Sequence, residues 1–521
     1  MLNKSILDKY KYYLLILFVV IQPILDIHYL YTEEVVNAIG FSPSTIIRII
    51  IIGILGILTL LTVRDKKLWI VVGVYLSLIG IYTILHILNA RNFYTLVPND
   101  LGYSVSGELF YIIRMLIPIA VIFVTITTDI SKKDYIKAVK IILLLISGSI
   151  IVSNIFKFSL QSYGQGIISG NIFDWFNGGY LKYNYEQLAS RGPFNSANQL
   201  SALLVLLLPT MFGIYTYDKK VSNLITILLT ILSMIMIGTK VALYGAIIVV
   251  VVYVFMLLIS TMLKQGIKID KNTLALIGLS IILIGSLYTK SPSINRGMVE
   301  SGYKANTESQ EANKDLVNKQ EIDKKPEIAD QNTHNKENLS KKDIMIKYIE
   351  DNFIDAKIKY DFITKHYPYQ YDPEFWMEIM DLPLEKRTDY RYLELRMHQR
   401  VMELNNNPND KLFGISFTRT EHLFTLERDF IYQYYSLGII GVMLFLGPYV
   451  LLTLASMFKI IVYLIKRKFD INISMTCFGI VFILGVSVYS GNVMDALTIT
   501  IILGFIIGIL TKQLFIQNGE Y

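Results

Sequence analysis

Residues 219–264 read KKVSNLITILLTILSMIMIGTKVALYGAIIVVVVYVFMLLISTMLK, and they decide the fold. Two apolar runs, near 222–238 and 240–263, meet at the tight turn Gly238-Thr239-Lys240. Lys219-Lys220 precede the pair, and the basic stretch Lys264 to Lys271 follows it. An apolar run of roughly 18 residues or more can cross a hydrocarbon core about 30 Å thick as a helix. The segment is therefore predicted to be a transmembrane hairpin with both lysine-rich ends on one side. That side is the cytoplasm, because cytoplasmic loops carry the excess of Lys and Arg.

The same pattern extends in both directions through the 521 residues. About twelve spans are predicted, near 12–30, 44–63, 68–88, 109–127, 137–156, 198–216, 222–238, 240–263, 273–289, 431–455, 473–490 and 495–513. With 17% charged residues and a mean hydropathy of +0.46, the chain lacks the polar surface of a soluble protein. Barrel strands are short and alternate polar with apolar, so helices are the spanning element. Placing both termini in the cytoplasm puts the N-terminal lysines, Arg64-Asp65-Lys66-Lys67, Lys132-Lys133, Lys466-Arg467-Lys468 and Lys512 on the same side as the hairpin's lysines. The net charge of +7 is thus assigned to orientation and anionic headgroups, not to nucleic acid. Cys477 stands alone, which excludes an intrachain disulfide and a cysteine-based metal site. The first span lacks an Ala-x-Ala-type cleavage site and is read as retained.

The predicted fold is an all-α polytopic membrane protein in four parts. Residues 1–289 hold spans one to nine, 290–342 a flexible polar linker, 343–430 a small helical extracytoplasmic cap, and 431–521 spans ten to twelve. The linker is dominated by Lys, Glu, Asn, Gln and Asp, a composition that cannot bury a core. Aromatic and aliphatic residues such as Phe375 and Trp376 return beyond it.

Charges that break into apolar segments fall at the end opposite the lysine loops. Arg48 and Arg114 lie within the second and fourth spans, Lys240 at the hairpin turn, and Arg191 in Arg191-Gly192-Pro193-Phe194-Asn195, which leads into the sixth span. Asp26, His28, His86 and Asp495 lie near the same level. One arginine a turn into a helix can reach up to the headgroups. Several cations from separate helices suit capture of a phosphate or diphosphate, where Arg offers paired donors and Lys a point charge. The expectation is that they converge in one extracytoplasmic pocket. The end of the cap adds Arg391, Arg396 and Arg400, the last two sharing a helix face, then His422, Glu427 and Asp429 just before the tenth span. Glu427 and Asp429 suit helix capping; one of them, or His422, also suits a general base. His366, His398 and His422 lack metal-ligand spacing, and neither metal nor cofactor is assigned.

Four of these stretches resemble the O-antigen ligase/O-antigen polymerase superfamily. Arg191 to Gln199 is similar to that family's Gly-Thr-Phe-x-x-Pro-Asn lead-in to a middle span. Ile237 to Gly245 resembles its Ser-Arg-Gly-Ala-x-x-Gly turn, with Lys240 where Arg is common. Pro408 to Phe417 resembles its Pro-Leu-x-Gly-x-Gly motif, and Tyr434 to Gly441 its Leu-x-x-x-Gly-x-x-Gly span opening. The resemblance implies a metal-independent glycosyltransferase of the GT-C type in the bacterial cytoplasmic membrane. It implies an undecaprenyl-diphosphate-linked oligosaccharide as donor and an acceptor glycan or envelope anchor. Membrane lipid and other polysaccharide-assembly proteins are the further partners. It places Arg191, Lys240 and one of Arg396 and Arg400 at the diphosphate. Where the ligase branch carries a His-Asn pair, this chain reads Glu427-Arg428-Asp429, which favours a polymerase or another assembly branch. The alternative is a lipid-linked oligosaccharide flippase or other secondary transporter. Carriers place binding residues near the midplane in two related halves, a pattern this sequence does not show.

Overall fold

A computed structural model of the chain describes residues 4–27, 42–158, 167–263, 269–301 and 340–517. His28 and positions 302–339 of the expected linker lie outside the described residues. Every long element is helical, and no strand occurs among the described residues. The first nine long helices are α1 (Lys4–Val20), α2 (Pro43–Thr62), α3 (Lys66–Arg91), α4 (Val105–Ile126), α5 (Lys132–Phe156), α6 (Ala197–Tyr217), α7 (Val221–Ile237), α8 (Lys240–Met262) and α9 (Lys271–Tyr288). Then come the cap helices α10 (Lys341–Asn352), α11 (Pro373–Met380), α12 (Tyr390–Asn405) and α13 (Phe417–Leu423). The chain closes with α14 (Asp429–Phe445), α15 (Gly447–Ile465), α16 (Ile471–Tyr489) and α17 (Leu497–Thr511). Ten described helices are long and apolar enough to cross a membrane, α17 counted with its continuation to Ile516; α1, α7 and α14 are shorter, α7 standing at the predicted seventh span and α1 lying earlier than the predicted 12–30.

Capping residues set many of the helix starts. Asp65, Ser131, Asp270 and Asp470 accept backbone N–H groups at one end of the bundle, and Ser104, Ser196 and Thr239 do so at the other. Apolar all round, α6 and α17 are buried along almost their whole length, as a central helix must be. α16 packs on α6, α17 on α4, and α7 on α5. At the end opposite the cap, Lys11 bonds Thr62 and the Thr127 carbonyl, and Lys219 pairs with Asp270 at 2.8 Å.

The cap has its own core of Phe362, Tyr367, Phe375, Trp376, Leu393 and Met397, joined by Val97 and Leu101 from the α3–α4 loop. Asp372 accepts from Phe375 N at the start of α11 and receives Arg400 at 2.7 and 3.0 Å. Two buried polar clusters fix the cap to the bundle. Arg419 pairs with Asp100, donates to the Ile415 and Ala90 carbonyls, and lies over the rings of Phe93 and Tyr103 at 4.0 and 4.3 Å. Glu108, on α4, accepts from Phe417 N, Thr418 N and the Thr418 hydroxyl and meets His86 Nε2 at 3.0 Å. Buried charges persist where such partners satisfy them.

Two further details differ from the sequence reading. The tenth span, expected at 431–455, is a broken helix: α14 takes a non-helical conformation at Gly438 (φ 67°, ψ 177°), and α15 runs on to Ile465. Residues 292–301, expected to begin the flexible linker, are helical, with Arg296 and Glu300 paired one turn apart at 2.6 Å.

Candidate functional site

A cavity of about 190 Å³ opens on the cap side of the bundle, between α2, α4, α6 and α17. Arg48, Arg114, Asp26, Phe194, Asn195, Ser196, Gln199 and Thr498 are among its lining residues. The first turns of α2, α6 and α17 contribute Thr45, Gln199 and Thr498, so three helix N-termini converge on it. Each brings backbone N–H groups and the positive end of a helix dipole. Asp26 in the lining neutralises Arg48 and Asp495 pairs with Arg114, so what favours an anion there is the three termini together with the accessible side of Arg114.

The two arginines do different work. Arg48 is buried and uses all five guanidinium donors: Nε to Gln22 at 2.8 Å, Nη1 to Asp26 and Ser44 at 2.8 and 3.1 Å, Nη2 to Asp26 and Thr498 at 3.0 and 2.7 Å. It ties α2 to α17. Arg114 is the more accessible cation, its side chain 26% exposed. Its Nη2 donates to Asp495 Oδ2 at 3.1 Å and to the Asp495 carbonyl. Asp495 also accepts from Tyr111 Oη at 2.9 Å, and Gln433 donates to that same tyrosine oxygen. The polar chain from Arg114 therefore climbs from the cavity towards the cap.

The other predicted cations lie elsewhere, so the expected convergence reduces to Arg48 and Arg114. Arg191 is buried in the turn before α6, where Ser190 N donates to the Met236 carbonyl; it does not line the cavity. Lys240 is 53% exposed and pairs with Glu300 at 2.8 Å. Arg396 contacts Gln399 and Glu403 of its own helix, and Arg400 is held by Asp372 inside the cap.

The candidate bases are also distributed. Glu427 pairs with Arg391 at 2.6 Å. Asp429 is buried and accepts the backbone N–H groups of Asn492, Val493 and Met494 at 2.8, 3.0 and 2.9 Å, so its carboxylate closes the turn before α17. His422 is exposed, and its carbonyl meets His366 Nδ1 at 3.0 Å. Burial, with His366 adding, lowers the affinity of its ring for a proton. Three further acids matter. Glu108 anchors the cap as described. Glu394, 3% exposed on α12, is pushed up to about 7 by burial and next by Glu427. Glu421 is exposed on α13, with Asp495 and Arg114 among its electrostatic neighbours. No spacing rule finds Glu108, because its partners on α13 are 309 and 310 positions away. Among the described residues no group of three or more His, Cys, Asp or Glu side chains could hold a metal ion.

The four motif stretches form two touching pairs. Ser201, just after the α6 lead-in, bonds Thr239 of the hairpin turn at 2.6 Å. Ile415 N and Ser416 N donate to the Tyr435 and Ser436 carbonyls at 2.8 and 3.2 Å. Gly414 and Gly438, both at positive φ, meet there backbone to backbone; a Cβ on the first would strike Ser436, and one on the second Leu412.

Taken together, these features define a multi-pass membrane protein with a helical cap and an anion-favouring cavity at its capped end. The chain belongs to the family of O-antigen ligase like membrane proteins, whose family model matches residues 7–517. No curated protein matches it. Membership makes it a membrane glycosyltransferase-type enzyme of glycan ligation or polymerisation in polysaccharide assembly, acting on a lipid-linked glycan.

Proposed function

We propose that the chain transfers or polymerises undecaprenyl-diphosphate-linked glycan at the outer face of the cytoplasmic membrane, without a metal, during assembly of a cell-surface polysaccharide. The observation that carries this reading is the cavity in which Arg114, backed by Arg48, faces three helix N-termini beneath the cap. The donor diphosphate sits there, with Asn195 and Gln199 as additional polar contacts from the α6 lead-in. As the acceptor hydroxyl attacks the anomeric carbon, the sugar–phosphate bond breaks and its electron pair leaves with the diphosphate. Charge grows on the leaving group, where fixed donors and dipoles stabilise it more than they stabilise the bound donor. Lys240, Arg396 and Arg400 are paired with Glu300, Glu403 and Asp372 away from this cavity, Arg191 does not line it, and Arg400 serves by building the cap.

Deleting the gene and sizing lipid-linked intermediates tests this. Accumulated single repeats identify a polymerase, and accumulated long lipid-linked chains a ligase. Material trapped on the inner leaflet identifies a flippase and overturns the reading.

A further inference from the structure

We propose that Glu421 is the general base of the transfer, its carboxylate taking the proton of the acceptor hydroxyl as that oxygen bonds to the anomeric carbon. This rests on the glycan-transfer reading above. The geometry begins with Phe417, whose ring stacks on Tyr111 with centroids 3.6 Å apart and planes 9° apart. Tyr111 in turn bonds Asp495, the partner of Arg114. Glu421 follows Phe417 by four residues on the same helix and so shares its face. Its side chain is exposed where Phe417 is buried, and Asp495, Arg114 and Glu108 are its charged neighbours, which sets it at the upper end of the polar chain rather than in the lining of the arginine cavity. Ser416 and Phe424, the residues flanking α13, take positive φ of 103° and 131°. Side chains other than glycine hold such conformations only where the surroundings impose them, so the helix carrying Glu421 is fixed in its aim.

The other acids at the capped end are committed, Asp26 being the one that lines the cavity. Asp26 is held by Arg48, Asp495 by Arg114 and Tyr111, Glu108 by His86 and two backbone N–H groups, Glu427 by Arg391, and Asp429 by three backbone N–H groups. Glu421 alone among these acids is exposed, and its carboxylate takes no part in the ion pairs of this cluster, whereas Asp26, Asp495 and Glu427 each pair with an arginine. In the step, the acceptor oxygen bonds to the anomeric carbon as the bond from that carbon to the diphosphate breaks. The pair leaves with the diphosphate, and the proton passes to the Glu421 carboxylate. The groups that bear on Glu421 are Asp495, Arg114 and Glu108, with Tyr432 opposite on α14. Burial and then Asp495 hold the Glu421 carboxyl above the ordinary carboxylate range, against the pull of Arg114. A protonated carboxyl cannot accept the proton, so turnover falls as pH falls through that raised value.

The test uses the full chain in nanodiscs, with undecaprenyl diphosphate as binding probe and lipid-linked glycan from the deletion strain as substrate. E421Q should bind the probe like the native chain and lose turnover by at least about 100-fold, the scale of general base catalysis. E421D should keep reduced turnover together with its decline at low pH, and it carries the test should E421Q fail to fold. Turnover of E421Q within about threefold of native, turnover of E421D equal to native, or an unchanged low-pH decline in E421Q overturns the assignment of Glu421 while the parent reading stands. A native chain that binds the probe but transfers no glycan sinks both.

Discussion

Arg48 and Arg114 look alike in the sequence, each an arginine a few residues inside an apolar run, and the structure separates them by their donors. Arg48 has every N–H engaged within the protein, while Arg114 lines the cavity 26% exposed and pairs with Asp495. Removing one member of a buried ion pair costs on the order of 3–5 kcal/mol, because the other charge is left without its partner. Arg48→Ala is therefore expected to lower the melting temperature sharply and to reduce the yield of folded protein. Arg114→Ala should keep a near-native melting temperature and lose undecaprenyl diphosphate binding. Thermal unfolding and probe binding on the two purified variants check this, and the opposite pattern reverses the assignment. The sequence marked both arginines because a charge inside an apolar run stands out. It could not mark Glu108, whose partners stand some three hundred residues away.

Among elements, the tenth span shows how far hydropathy reads. Leu437-Gly438-Ile439-Ile440-Gly441 continues the apolar run without interruption, so composition predicts one helix there. The break exists because residues 414–416 approach from the cap and occupy the space of a normal helix turn. Hydropathy also placed the end of this span near 455, ahead of Lys459, although the helix continues to Ile465. Gly438→Ala would force a side chain into positive φ, a cost of roughly 1 kcal/mol, and into collision with the Leu412 carbonyl. The expected outcome is a cap that loosens from the bundle. Limited proteolysis of the 340–424 region should accelerate, whereas Gly278→Ala, with open space around its Cβ position, should leave digestion unchanged. Equal digestion of the two variants would show that the glycine contact holds nothing.

For the whole molecule, the apolar runs located most of the long helices, the first and tenth spans being the ones whose bounds moved most. The cap's attachment was hidden, because its anchors pair residues such as Arg419 with Asp100 and Thr418 with Glu108. Sidedness itself can be measured. Cys477 is 4% exposed and should not react with an impermeant maleimide. Lys386→Cys in the cap is then expected to label in intact cells, and Arg467→Cys between α15 and α16 only after the membrane is opened. The reverse would invert the topology and move the cavity to the cytoplasm.

The glycine joint has a mechanical consequence. With residues 415–416 bonded to α14, Arg419 seated between two rings and Glu108 clasping the start of α13, the floor of the cap is riveted to the bundle at three places. It cannot swing away as a lid. The α10 and α11 side chains Ile349, Phe375 and Trp376 share one core with Leu101, Ile415 and Leu423 beside those rivets, so the cap is braced as a unit.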